Sequence, residues 1–184
     1  MANYISDLSV AGIPGAAASA GPNQRKRALL NLTVRWLFAA LHLLALGIGL
    51  GAVWARGRAL RGTLDPAGLR RAFAADSWWG IAALLWIATG VARAFGGLEK
   101  GTAYYLQNHF FVTKMALLGF ILVLEIRPMV ALIRWRTALR RGETLDTRAA
   151  GTFARISELQ ALLVVLMVLL ATGMARGYGS RGAG

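Results

Sequence analysis

GTAYYLQNHFFVTKMALLGFILVLEIRPMVALIRWR, residues 101–136, is the stretch whose reading decides the fold. It has the length and apolarity of one long membrane-crossing helix. Tyr104, Tyr105, His109, Phe110 and Phe111 mark its entrance, and Trp135 lies between Arg134 and Arg136 at its exit. Aromatic and basic side chains gather at membrane–water interfaces, so these residues set the ends of the span. Lys114, Glu125 and Arg127 fall inside it. A charge within a span costs at least a few kcal/mol, so each requires a partner, a cavity or an interface. Pro128 removes one backbone donor and crowds the carbonyl of Leu124, which predicts a kink or an end there.

The rest of the chain is read outward from this span. Its 184 residues fit one domain, with 57% hydrophobic residues and mean hydropathy +0.52. The formal net charge is +13. The basic residues lie between the apolar runs and not along one face. That pattern excludes a soluble core and a nucleic-acid binder, and fits a polytopic membrane protein with arginine-rich loops near anionic lipid. The chain has no cysteine, hence no disulfide, thiol nucleophile or thiolate metal site.

Residues 1–30 read as an extended N-terminal tail, 31–179 as a four-helix transmembrane domain and 180–184 as a C-terminal tail. Residues 1–24 are small and polar and lack the features of a cleaved signal peptide. Arg25, Lys26 and Arg27 mark a membrane boundary. A first span follows from Val34 to Trp54, with Trp36 and Trp54 near its ends. Gly47 and Gly51 in its second half make a small-xxx-small face that lets another helix approach closely.

The first loop, Arg56 to Ala75, holds five arginines. Asp65-Pro66 has the form of a helix N-cap followed by proline at the first helical position. Leu69, Ala72 and Phe73 recur at helical spacing beside Arg70 and Arg71, which predicts a short amphipathic helix on the membrane surface. Asp76-Ser77 then cap a second span from Trp78 to Ala94. A fourth runs from Ile156 to Ala175 and ends in MARGYG, where glycines stop the helix. The expected fold is an all-α integral membrane four-helix bundle with a short amphipathic helix in its first loop.

Twelve arginines lie on the side of loops one and three, against nine lysines and arginines on the other side. The bias places those loops in the cytoplasm and both termini outside it, in a bacterial inner membrane. The polar groups then form two layers. His42 and Lys114 lie roughly 7–12 Å deep from the face of the termini, by helical rise. Asp76, Glu125, Arg127 and Glu158 form the opposite layer, where an interhelical ion-pair cluster would satisfy them.

The segments LHLLALGIGLGAVWARGRAL, ADSWWGIAALLWIATGVARAFGGLEKGTAYYLQNHFFVTKMAL, LEIRPMVALIRWR and MARGYG resemble a bacterial family of predicted membrane proteins of unknown function. The resemblance spans residues 36–179 and implies a bundle of four helices. More remotely, that family is grouped with copper-resistance-D-like membrane proteins and with small haem-binding protoporphyrinogen oxidases. In the latter, a histidine on the first helix and a lysine opening a later helix form the important polar pair. His42 and Lys114 match them in type and depth.

Each candidate residue has two readings. His42 is a haem ligand, or a histidine bonded to a carbonyl or hydroxyl of a neighbouring helix. His109, at the rim, is a weaker second ligand. Lys114 is a proton carrier or counter-ion, or a lysine that snorkels to the interface. No zinc or copper spacing, phosphate loop, catalytic triad or paired-carboxylate motif is present.

Three functions follow, in order. The first is a non-catalytic accessory subunit of a larger membrane complex, such as a photosynthetic or respiratory one. It would contact other membrane subunits through its N-terminal tail, with lipid around it and no nucleic acid. The second is a haem-binding redox protein or oxidase that uses His42 and Lys114, with haem as cofactor. The third is a small proton-coupled transporter.

Overall fold

The computed structural model describes residues 21–96 and 108–178, most of which lie in helices. The four helices are α1 (Pro22–Arg61), α2 (Pro66–Phe95), α3 (His109–Arg140) and α4 (Ala150–Ala175). Each is long and apolar enough to cross a membrane. They alternate in direction, because four residues join α1 to α2 and nine join α3 to α4. α1 packs on both α2 and α4, α3 packs on α4, and α2 meets α3 only lightly. The order around the bundle is therefore α2, α1, α4, α3.

Local sequence sets the helix ends. Pro22 opens α1. Asp65 caps α2 by accepting from the Gly68 amide at 2.6 Å, with Pro66 at the first helical position. Asn108 caps α3, accepting from the amides of Phe110 at 2.9 Å and Phe111 at 3.3 Å. Its amide nitrogen also donates to the Tyr178 carbonyl at 3.2 Å, which ties the start of α3 to the end of α4. Gly177 takes φ +92° just past α4, a conformation that costs glycine nothing.

The helices overrun the expected elements. α1 continues to Arg61, so Arg56 and Arg58 are helical and not in a loop. It also begins at Pro22, so residues 22–30 of the expected tail belong to a helix, while 1–20 lie outside the described residues. α2 runs unbroken through Asp76 and Ser77. Leu69, Ala72 and Phe73 are thus its first turns and not a separate surface helix. Their apolar face is covered by the bundle: Leu69 and Ala72 are buried with Leu60, Leu132 and Phe153. α3 passes through Pro128, which is buried, and ends at Arg140. Tyr104 and Tyr105 lie outside the described residues.

Two main apolar clusters are stacked along the bundle axis. One joins Leu60, Leu69, Leu132, Trp135 and Phe153 near the first and third loops. The other joins Val53, Trp79, Ile121, Val164 and Met167 within the spans. Most other large apolar side chains face outward, Leu84 being 73% exposed, as a lipid-facing surface requires. Packing contacts, not transfer from water, hold such helices together. Leu132 is fully buried. Leu132→Ala is therefore expected to cost about 2 kcal/mol, the low end for a buried leucine, because the cavity term dominates. Leu84→Ala should leave unfolding in detergent nearly unchanged. Thermal unfolding followed by circular dichroism checks the pair.

Candidate functional site

The centre of the bundle is polar. Arg56 of α1 is fully buried, and its guanidinium carries five N–H donors. Each contact falls on an acceptor from another helix. Nε donates to Ser157 Oγ at 3.0 Å. Nη1 donates to Asp76 Oδ1 at 2.8 Å and to Glu125 Oε1 at 2.7 Å. Nη2 donates to Glu125 Oε2 at 2.7 Å and to Gln160 Oε1 at 2.8 Å. Glu125 is thus held by both arms of the fork, the strongest arrangement available to this pair.

The surrounding groups are satisfied in turn. Gln160 Nε2 donates to Glu125 Oε2 at 2.9 Å and to the Ile121 carbonyl at 3.2 Å. Ser157 Oγ donates back to the Phe153 carbonyl at 2.9 Å. Asp76 Oδ2 accepts from Arg136 Nη2 at 2.8 Å. Arg136 also reaches the Phe73 carbonyl at 2.7 Å and lies over the Phe73 ring, 5.1 Å from its centroid. Arg56 and Arg136 balance Asp76 and Glu125, so the network carries no net charge. It is a saturated lock contributed by all four helices.

This differs from the expected cluster of Asp76, Glu125, Arg127 and Glu158. Asp76 and Glu125 enter the network, but the cation between them is Arg56. Arg127 is exposed. Residues two apart point to opposite sides of a helix, so Arg127 cannot follow Glu125 inward. Glu158 is on a different face of α4 from Ser157 and Gln160, and pairs with Arg61 at the bundle edge. The sequence did carry a signal for Arg56. The buried residues of α1 are Ala45, Gly49, Ala52, Val53, Arg56, Gly57 and Leu60, a helical stripe with one arginine on it. Ser157 and Gln160 interrupt the apolar stripe of α4 in the same way.

The glycines divide similarly. A Cβ at Gly47 or Gly51 would meet nothing within 4 Å, so that small-residue face looks outward. On α1 the close approaches use Gly49 and Gly57. A Cβ at Gly49 would lie 3.4 Å from Ala82 Cβ, and one at Gly57 would lie 3.4 Å from the Ala154 carbonyl oxygen.

The second polar layer lies about 21 Å from the first along α1, fourteen residues at 1.5 Å each. His42 is half-buried and places Nδ1 2.9 Å from Thr89 Oγ1. Thr89 Oγ1 also lies 2.7 Å from the Leu85 carbonyl and 3.1 Å from that of Trp86, either of which can accept its hydrogen. The imidazole stacks on Trp86, with centroids 5.6 Å apart, and its Cε1 packs against Gly90. Arg93 and Lys114 lie within electrostatic reach of it, and Lys114 is half-buried. His109 is exposed at the start of α3.

Two cavities lie along α1, and neither is lined by His42 or Lys114. α1 and α3 are not neighbours in the bundle. The void beside Trp86, lined also by Ala45, Leu46 and Val164, holds about 10 Å³. Ligand pockets usually enclose roughly 300–1,000 Å³. A groove of about 820 Å³ lies at the other end of α1 and α2, and no histidine or lysine lines it. The described residues contain no cluster of three or more histidine, cysteine or acidic side chains that could hold a metal.

Residues 34–179 match the model of the family described as "Predicted membrane protein (DUF2214)". No curated protein and no solved structure matches the chain.

The lock makes Arg56 and Arg127 distinguishable by experiment. Arg56→Leu leaves two carboxylates facing each other in the bundle, and removal of one partner from a buried pair costs about 3–5 kcal/mol. Arg127→Leu is expected to change stability by no more than about 0.5 kcal/mol, as an exposed substitution. Thermal unfolding in a mild detergent should separate the two variants clearly.

Proposed function

Because the chain belongs to that family, a family of membrane proteins, we propose that it is a non-catalytic accessory subunit of a larger membrane complex. The observation that carries this reading is the N-terminal projection of α1. The helix has 40 residues, about 60 Å, or twice the hydrocarbon thickness of a bilayer. Every residue from 21 to 37 is exposed, and the buried stripe begins only at Ala45. Leu29, Leu30 and Leu32 are 64–66% exposed on this projection, close to Arg25, Lys26 and Arg27. Leu29 and Leu32, three residues apart, share one face of this helix, an exposed apolar surface suited to another.

The interior supports the same reading. Catalysis needs donors or acceptors aimed at a reacting group. At the Arg56 centre those groups are consumed by the protein itself. The function then falls to the exterior, where the projection would meet a neighbouring subunit at the membrane surface.

The test is co-purification from native membranes in a gentle detergent. The full chain should arrive with stoichiometric larger subunits. The triple variant Leu29→Ser, Leu30→Ser, Leu32→Ser should fold normally, since these side chains are exposed. It should retain at least about tenfold less partner, because burial of even one leucine is worth roughly 1.5–3 kcal/mol. Equal recovery of partner by the variant removes the projection from the interface. A parent chain that purifies alone from native membranes overturns the subunit reading.

A further inference from the structure

α1 and α2 leave an open groove of about 820 Å³ on the outside of the bundle. Its cause is the small side chains on both walls. Ala55 and Ala59 of α1 face Ala74 and Ala75 of α2 across it. Trp54 and Trp78, both more than half exposed, stand along its sides. Tryptophan favours the level where acyl chains meet headgroups. Toward the first loop, one exposed arginine from each helix, Arg58 and Arg71, joins the lining. From Ile48 to Gly62 the α1 wall is about 21 Å long, enough for the apolar half-thickness of a bilayer, about 15 Å, plus a headgroup.

A groove that is apolar at one end and doubly cationic at the other matches an amphiphile with an anionic head. We infer that it holds an anionic phospholipid, its phosphate between Arg58 and Arg71 and an acyl chain along the alanine floor. A second copy of the chain is a poorer occupant. A two-fold axis through this face would set arginines against arginines. The chain's own remaining segments, 1–20, 97–107 and 179–184, join helix ends at the other end of the bundle. Glu158 is within electrostatic range of Arg58 but is bound by Arg61. This inference is independent of the partner projection, which lies at the opposite end of α1.

The experiment uses the full chain in a zwitterionic detergent, titrated with phosphatidylglycerol, phosphatidylcholine or inorganic phosphate. Binding is read by native mass spectrometry and by the shift in unfolding temperature. Phosphatidylglycerol should be retained and should raise the unfolding temperature, and phosphatidylcholine and phosphate should do neither. Arg58→Gln with Arg71→Gln should weaken its binding about tenfold or more, given the attraction of each basic residue for an anionic surface. Arg141→Gln with Arg148→Gln removes the same charge from exposed sites away from the groove and should leave binding unchanged. Ala55→Phe should block the lipid with both arginines intact, while unfolding in lipid-free detergent shows that the variant is folded. Equal binding by Arg58→Gln/Arg71→Gln, equal loss in Arg141→Gln/Arg148→Gln, or retention by Ala55→Phe would each overturn the inference. So would stabilisation by phosphate alone, or equal retention of phosphatidylcholine.

Discussion

Arg56 cannot give up its charge, and it lies where neither water nor lipid headgroups reach it. A buried guanidinium requires acceptors for all its N–H groups, placed in the plane of the fork. Here they come from α2, α3 and α4, while the cation rides on α1. A slip of one residue in any helix would carry its acceptor about 100° around the axis and break the set. The network therefore fixes the register of the bundle. Its contribution to net stability is another matter. A well-packed apolar core can be as stable as a buried ion pair, so what the arginine secures is one arrangement in preference to others.

The position of the lock also divides the bundle. On one side lies the cluster around Val53, Trp79 and Ile121, whose outer surface is lipid-facing. On the other lies the cluster around Leu60, Leu69, Leu132 and Phe153, flanked by exposed arginines such as Arg58, Arg70, Arg71 and Arg134. Trp54 and Trp78 stand next to the lock in sequence, as interface anchors would. The charges thus sit near the edge of the hydrocarbon and not at its centre, where the cost of burial is greatest. Arg127 needs no partner at this level, because an exposed arginine can reach the headgroups directly.

Four apolar runs of spanning length, bounded by tryptophan and arginine, made the helices legible in the sequence. The Asp65-Pro66 cap and the glycine stop after Ala175 were equally clear, since each is a local interaction. What the run of residues hid was which arginines are loops and which are core. Arg56 begins a series with Arg58 and Arg61, and a basic series after Trp54 reads as the end of a span. Only the period of the stripe from Ala45 to Leu60 separates Arg56 from its neighbours. Glu125 next to Arg127 suggested a pair by proximity in sequence, yet on a helix such neighbours diverge. Gly47 and Gly51 carried a recognised packing spacing, and the pattern itself contained nothing to say that the bundle would use Gly49 and Gly57.

The contrast between inside and outside bears on where function resides. Among the described residues, the donors and acceptors of the Arg56 centre are matched within the chain, whereas Trp86 Nε1, on the ring stacked against His42, is buried without a partner. The saturated centre resists both substrate binding and rearrangement, because any new partner must displace a charge-assisted bond. The exterior is different. It offers leucines on a helical projection at one end, and at the other an alanine-floored groove with two arginines. These surfaces lie at opposite ends of α1, so a neighbouring protein and a lipid could occupy them together without competition. The register that Arg56 imposes on α1 fixes where along the bundle each of these surfaces lies.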